Sequence, residues 1–437
     1  MGNRQTTDAF EMRASRRAML KASLIAGVGM ASGVGRMAHA SGSETLKVGL
    51  VGCGGRGTGA ATNALAADPG ARITALADLF PEKIGPCLQG LQSQFPNQVD
   101  VKPECCFSGF DGYQQLISSG VDVVLLALPS HFHCIHLMAA VEAGKHVFVE
   151  KPHAVDPVGV RMVAEACRKA KEKNLSVVSG LCWRYDLGGR ETMKRIHDGA
   201  IGDITAIRET YMTGFSWTRS RQPTDSEMTY QLRNWYNFHW LSGDLPGLTL
   251  IHSLDKGSWA MNDVPPTRVW GVGGRQVRTG AEFGDVYDHH ALVYEYANGV
   301  QMFGFVRQQT GCFDDTSDWI IGTKGRANIA QRRIEGETPW RYGGPNPIPY
   351  DTEHQEFFAS IRSGNPINNG DYMTTSTMLA VAGRMAAYSG DVISWEQAMN
   401  SDLSLAPSRY AFDAEPPVKP DEAGRYPIAM PGATKYF

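Results

Sequence analysis

Short apolar runs alternate with longer helical stretches through the first half of the folded chain, and each apolar run ends in glycine, proline or a charged residue. Leu46–Val51 reads as a buried strand and runs into Gly52-Cys53-Gly54-Gly55-Arg56-Gly57. An alanine-rich helix is predicted over 58–67, a second strand over 71–77 ending in Asp78, and a third over 121–128. That third run is almost continuously apolar, as a parallel strand buried on both faces must be. A helix over 134–143, a strand at His146–Val149 and another at 176–180 continue the alternation. Strand, turn and helix in this repeated order predict an α/β fold with a doubly wound parallel sheet, whose ligands bind at the carboxyl ends of the strands. The second half is mixed. It offers a helix over 189–198, period-two alternation over 291–296 before an Asn298-Gly299 turn, and amphipathic helices over 354–363 and 374–387. Residues 403–437 are proline-rich and irregular, suited to wrapping a neighbouring subunit. The expected domains are 44–170, a nucleotide-binding unit, and 171–402, a substrate and oligomerisation unit, with 1–40 in front and the tail behind.

Composition changes this picture little. A chain of 437 residues with net charge -3 has no basic excess, so a small molecule is expected as partner rather than nucleic acid. The 8 cysteines lack zinc-site spacing and are expected to be buried free thiols, with one unassigned disulfide left open by an oxidising destination; no metal site is expected. The N-terminus carries more information. Two arginines in Ser15-Arg16-Arg17-Ala18-Met19-Leu20-Lys21 precede an apolar, glycine-rich stretch over 24–37 and the small-x-small triplet Ala38-His39-Ala40. This resembles a twin-arginine signal peptide. The resemblance implies export of the folded protein by the twin-arginine machinery to a bacterial periplasm, with a mature chain starting near Ser41. No pool of soluble redox cofactor is expected there, so an exported enzyme that needs one should hold it tightly and regenerate it in place.

The glycines have a physical reading. Gly52 permits a tight turn, Gly54 lets the backbone approach a pyrophosphate, and Gly57 lets helix and strand pack closely. The helix N-terminus offers free N–H groups to an anion. Asp78 stands about 20 residues beyond the last glycine, the spacing of a ribose-binding acid. A carboxylate there repels a 2′-phosphate, and Leu79-Phe80 supplies no arginine to bind one, so NAD is expected rather than NADP.

The glycine motif, Asp78, Pro129-x-x-x-His133, and Ala143-Gly144-Lys145-His146-Val147 leading to Glu150-Lys151-Pro152 occur in order. Together they resemble the Gfo/Idh/MocA oxidoreductases (glucose–fructose oxidoreductase and inositol dehydrogenase among them). The resemblance implies a Rossmann domain, a C-terminal α/β domain with a large, mostly antiparallel open sheet, and an active site between them in a homo-oligomer, a dimer or tetramer. It implies that Arg56, Pro129, His133, Glu150 and Lys151 border the cofactor. Lys151 would relay the substrate hydroxyl proton, since a partly desolvated lysine has a lowered pKa. His252, in His252-Ser253-Leu254-Asp255, matches the family's acid/base histidine, with Asp255 orienting a neighbour at the substrate. Trp183, Arg184 and Tyr185 follow a strand and either contact cofactor or sugar or pack in the core. Arg233 and Tyr236, in the aromatic run 233–240, offer a sugar platform or ordinary packing. His289 and His290 must point to opposite faces of a strand, and His289 is the one placed for the cleft. One departure stands out: the family's carboxylate, four residues before the histidine, is Leu248 here, with Asp244 as a candidate replacement.

Three functions follow as expectations. The first is an NAD-retaining oxidoreductase acting on a CH–OH group of a sugar or polyol. The second is a glycoside hydrolase that oxidises its substrate transiently and reduces it again. The third is a binding or scaffolding protein that has lost its chemistry.

Overall fold

The computed structural model describes residues 45–437; the segment 1–40, expected to be a signal peptide, lies outside the described residues. The first layer is a six-stranded, all-parallel sheet built from β1 (Leu46–Val51), β2 (Ala71–Asp78), β3 (Cys106–Ser108), β4 (Val123–Leu126), β5 (His146–Val149) and β6 (Val177–Ser179), in the order β3-β2-β1-β4-β5-β6. The connection from β3 back to β4 beside β1 reverses the winding, and the switch point falls at the glycine motif. Strands β1, β2, β4 and β5 bury almost every side chain between helices on both faces, which is why their sequences run apolar without alternation. The sheet extends to Ser179, so the nucleotide domain ends beyond residue 170: β6 completes the parallel ladder against β5.

Among these strands lie α1 (Gly55–Ala67), α2 (Ile84–Gln94), α3 (Gly112–Ser118), α4 (His133–Glu142) and α5 (Pro157–Glu172). A second sheet of nine strands follows: β7 (Ile204–Thr213), β8 (Arg268–Gly274), β9 (His289–Glu295), β10 (Gln301–Gln308), β11 (Asp315–Gly322), β12 (Gly325–Asn328), β13 (Arg333–Gly336), β14 (Trp340–Arg341) and β15 (Ile393–Ser394). Its order is β14-β13-β12-β11-β7-β10-β9-β8-β15, and only β7–β10 is parallel. Burial alternates strictly along β9 and β10, with one face against helices and the other open. The remaining helices are α6 (Leu187–His197), α7 (Glu227–Arg233), α8 (His239–Ser242), α9 (Ile251–Ala260), α10 (Pro349–Ser363), α11 (Gly370–Ser389) and α12 (Trp395–Asn400).

Helix α11 is buried on nearly all sides from Met373 onward, which its even spread of apolar and small residues permits. It packs against α5 of the first layer and against β8, β9 and α9 of the second, so one continuous core fixes the two sheets. Helix α10 returns to the nucleotide domain and packs on α1. The tail, 403–437, has no helix or strand. All eight cysteines are free, five of them in buried positions. No described helix is long and apolar enough to cross a membrane.

Candidate active site

The carboxyl ends of β1, β2, β4 and β5 open into a cleft of about 1290 Å³ that is walled on its far side by the second domain. Its floor is the glycine loop. Gly52 has φ +98, and a Cβ there would lie 2.2 Å from the Ala127 carbonyl oxygen. At Gly57 a Cβ would lie 1.7 Å from the Gly52 carbonyl oxygen. Around Gly54, by contrast, nothing lies within 4 Å. Gly52 therefore lets the turn press against the end of β4, Gly57 lets α1 press against the turn, and Gly54 faces free space in front of α1, whose N-cap has no side-chain partner and whose first turn holds no acid. Asp78 ends β2; its carboxylate accepts from the Cys53 N–H (2.8 Å) and the Phe80 N–H (2.9 Å), which pins the loop to the strand end.

Glu150 and Lys151 leave the end of β5 into the same cleft. Glu150 is ion-paired with Arg56, whose guanidinium lies 4.4 Å from the Tyr350 ring, and the Arg56 Nη2 is buried without a protein partner. The Lys151 Nζ donates to the Leu248 carbonyl oxygen at 2.6 Å. Leu248 sits in a π-helical turn, Pro246–Leu250, that leads into α9. The widened turn breaks the regular hydrogen-bond ladder and leaves a main-chain oxygen for an outside donor. Burial holds the Lys151 amine below the usual lysine range. His252, at the start of α9, lines the cleft beside it. Burial and the nearby charges of Lys151 and Lys256 depress its pKa well below the usual histidine value, so the imidazole is neutral. Its Nδ1 is buried with no protein partner.

Residues 46–179 match the profile of an oxidoreductase family with an NAD-binding Rossmann fold. This domain is of the Gfo/Idh/MocA type. Sequence relatives include an inositol 2-dehydrogenase of Saccharopolyspora erythraea, 26% identical over 289 residues that cover 65% of this chain and 73% of that protein. An oxidoreductase of Streptococcus pneumoniae serotype 4 is 26% identical over 260 residues, 58% of this chain and 60% of its own length, so the chain spans less than two thirds of that relative. Two solved structures share the two-sheet fold. A levoglucosan dehydrogenase in complex with NADH and levoglucosan is 20% identical with TM-score 0.62, covering 80% of this chain and 99% of that one. A scyllo-inositol dehydrogenase from Lactobacillus casei is 21% identical with TM-score 0.59, covering 80% and 98%.

Within this cleft the structure gathers Gly52, Gly54, Arg56, Asp78, Pro129, Glu150, Lys151, Arg233 and His252. Other expected contacts lie elsewhere, for stated reasons. His133 is fully engaged below the cleft: its Nδ1 is 2.6 Å from the Pro152 carbonyl and its Nε2 accepts from the Leu128 N–H. It ties two strand ends together as a neutral imidazole, its pKa pushed down to about 4 by burial. Arg184 is buried between the Trp259 and Tyr372 rings and paired with Asp255 (2.8 Å) and Asp263 (2.6 Å), so neither Arg184 nor Asp255 faces a ligand. Tyr185 donates to Asn369 in the core, and Trp183 covers the Lys256 ammonium at 4.8 Å. Tyr236 accepts from Gln308 at 2.6 Å behind the cleft wall. His289 pairs with Asp288 away from the cleft, while His290 is buried on the other face. Asp244 does not replace the family carboxylate, because Tyr388, His290 and the Tyr287 N–H take up one of its oxygens deep in the core. Lys151 meets the Leu248 carbonyl instead.

The buried Arg184 triad makes a stability prediction. Arg184→Met leaves two carboxylates without their cation and is expected to cost about 3–5 kcal/mol in thermal or urea unfolding. Burial already pushes the Asp255 carboxyl up, with Arg184 opposing it. Removing the arginine raises that pKa further. A raised carboxyl pKa stabilises below the unfolded value and loses that stability as pH rises. The variant should therefore recover part of its deficit as pH falls toward about 4.

Residues that the sequence did not single out complete the cleft: Tyr211, Trp217, Arg219, Trp235, Thr249 and Tyr350. Trp235 was within reach of sequence reasoning, since it neighbours Tyr236 in the aromatic run. The 3-10 turn Trp235–Asn237 rotates successive side chains apart, so one ring faces the cleft and the next the interior.

Proposed function

We propose that this protein is an NAD-dependent oxidoreductase of the Gfo/Idh/MocA family that oxidises a CH–OH group of a sugar or polyol, with cofactor held through the catalytic cycle. The observation that carries the reading is the meeting of two devices in one cleft: the glycine loop with Asp78, and Lys151 hydrogen-bonded to Leu248 O beside a neutral His252. The residues fit the dinucleotide. Open space at Gly54, uncapped amides at the start of α1 and the unpartnered Arg56 Nη2 suit a pyrophosphate; Asp78 suits a ribose diol. Bound NAD supplies the hydride acceptor. The chain's own work is proton handling and positioning. In its free-amine form, which burial favours, Lys151 would donate one N–H to Leu248 O and keep its lone pair for the substrate hydroxyl proton. His252 stands beside it as a second neutral acceptor, and Glu150 fixes Arg56 across the loop. The proposal includes export in the folded state and assembly into a homo-oligomer.

The test is purification without added nucleotide, followed by absorbance and mass analysis of what denaturation releases. Stoichiometric NAD(H), reduced at 340 nm by a sugar or polyol in single turnover, is the expected result. Release of a leaving group from an aryl glycoside without added oxidant would select the hydrolytic reading instead. Protein that binds no nicotinamide nucleotide at all would leave only a binding or scaffolding role.

A further inference from the structure

The cleft that holds Lys151 and His252 also reaches Phe80 and Glu82, just past the end of β2. Phe80 is fixed by its N–H to the Asp78 carboxylate, and on the nucleotide-binding reading this is the end that would receive the adenosine. The second domain reaches across to this end. Arg233, at the end of α7, stacks 4.2 Å above the Phe80 ring and pairs with Glu82 at 2.6 Å. Trp217 and Trp235 line the cleft beside it in edge contact, with centroids 5.9 Å apart. The loop that carries Trp217 is tied to the end of α7: Arg219 N–H donates to Asn234 Oδ1 at 2.8 Å, and Asn237 donates to the Trp217 carbonyl at 3.2 Å. Arg233 thus stands with Phe80 and Glu82 at the β2 end of the cleft.

This wall is braced from behind by the tail. The Leu405 N–H donates to Asp156, and Tyr410 OH meets His131 Nε2 at 2.7 Å, which anchors the tail on the nucleotide domain. Phe412 then packs on Phe80 (5.9 Å) and Phe110 (5.1 Å), and its carbonyl accepts from Ser226, the N-cap of α7. Further along, the Val418 carbonyl accepts from Gln231, and Tyr426 OH donates to Glu227 and accepts from Arg221. A segment without regular structure therefore carries a run of specific bonds that join the β2 end to the back of α7. An irregular surface segment needs such ties to stay in place.

We propose that residues 217–235, braced by the C-terminal tail, form the outer wall of the adenosine subsite, and that this brace sets how slowly the dinucleotide leaves. The inference rests on the nucleotide-binding reading above and adds to it the structural means of retention. A wall held in place by these ties would oppose the departure of an occupant, so the dissociation rate is expected to follow the stability of the brace.

The test uses the full-length protein loaded with radiolabelled NAD and chased with excess unlabelled NAD. Phe412→Ala removes the ring between Phe80, Phe110 and α7; Arg233→Met removes the bridge to Phe80 and Glu82 without touching the tail. Each is expected to release label about tenfold faster than wild type or more, with an unchanged far-ultraviolet circular dichroism spectrum. If Phe412→Ala fails to fold, Arg233→Met carries the test alone. Wild-type protein that retains NAD, with variants that release it no faster, overturns this inference and leaves the functional reading standing. Variants altered only in the KM for a sugar would assign the wall to substrate and overturn it too. Wild-type protein that binds no NAD overturns both readings together.

Discussion

Lys151→Met is expected to slow reduction of bound NAD by about 10²–10⁴-fold, the range for loss of a positioned acid or base, while nucleotide stays bound. Lys151 Nζ is the flexible end of a side chain that leaves the β5 end, and its partner is an uncharged carbonyl, Leu248 O, at 2.6 Å. A carbonyl accepts a hydrogen bond from ammonium and amine alike. A carboxylate would favour the ammonium and raise the pKa, whereas here burial, the largest influence, lowers it. A base acts in its free-amine form, so the single-turnover rate should rise with pH and level off above the lysine pKa. Leu248→Glu is expected to place a carboxylate near the amine, move that limb to higher pH and lower the rate at neutrality. Lys151→Arg should not rescue, since a guanidinium keeps its proton throughout the accessible range. Stopped-flow absorbance at 340 nm across pH reads all three variants. A pH limb that stays in place in Leu248→Glu would remove Lys151 from the proton path.

That carbonyl shows where sequence reading stops. Leu248 looks like a missing carboxylate when only side chains are read. A π turn that presents its main-chain oxygen leaves no letter in the sequence. The parallel sheet was legible because its signals are local: apolar runs, glycines and strand-end residues lie within a few positions of each other, and Leu46–Val51, Ala71–Asp78 and His146–Val149 form as the pattern predicts. Arg184 and Asp255 carry plausible functional letters, yet their roles are set by Asp263, by two aromatic rings and by burial beneath α11, all fixed by tertiary packing. The same holds for His133, whose two bonds join segments that meet only when β4 and β5 pair. The 403–437 segment reads correctly as irregular. What its proline-rich sequence does not disclose is that Phe412 and Tyr426 bind it to the nucleotide domain and to α7 of the same chain.

The three glycines of the loop are expected to respond to the same substitution in opposite ways. Gly57→Ala sets a methyl carbon 1.7 Å from the Gly52 carbonyl oxygen, a contact with backbone on both sides that only a shift of α1 can relieve. Gly52→Ala adds a positive φ of 98° to a 2.2 Å contact with Ala127 O. Overpacking of this kind costs about 1–3 kcal/mol or more, and the left-handed backbone about another 1–2 kcal/mol at Gly52. Both variants should unfold at lower temperature whether or not nucleotide is present. Gly54→Ala meets nothing within 4 Å, and Gly54 has φ -77, which alanine adopts without strain. Its apo protein should be as stable as wild type, or more stable by about 0.4–1 kcal/mol through a less flexible unfolded chain. The methyl group would instead occupy the space in front of the α1 amides. NAD affinity is therefore expected to fall about tenfold or more, near 1.4 kcal/mol, and the NAD-induced rise in unfolding temperature should shrink accordingly. Scanning calorimetry of nucleotide-free protein, with and without added NAD, separates the two effects. A Gly54→Ala protein that keeps the full NAD-induced rise would show that the open space at the loop is not where the pyrophosphate binds, and would break the link between this glycine motif and the dinucleotide.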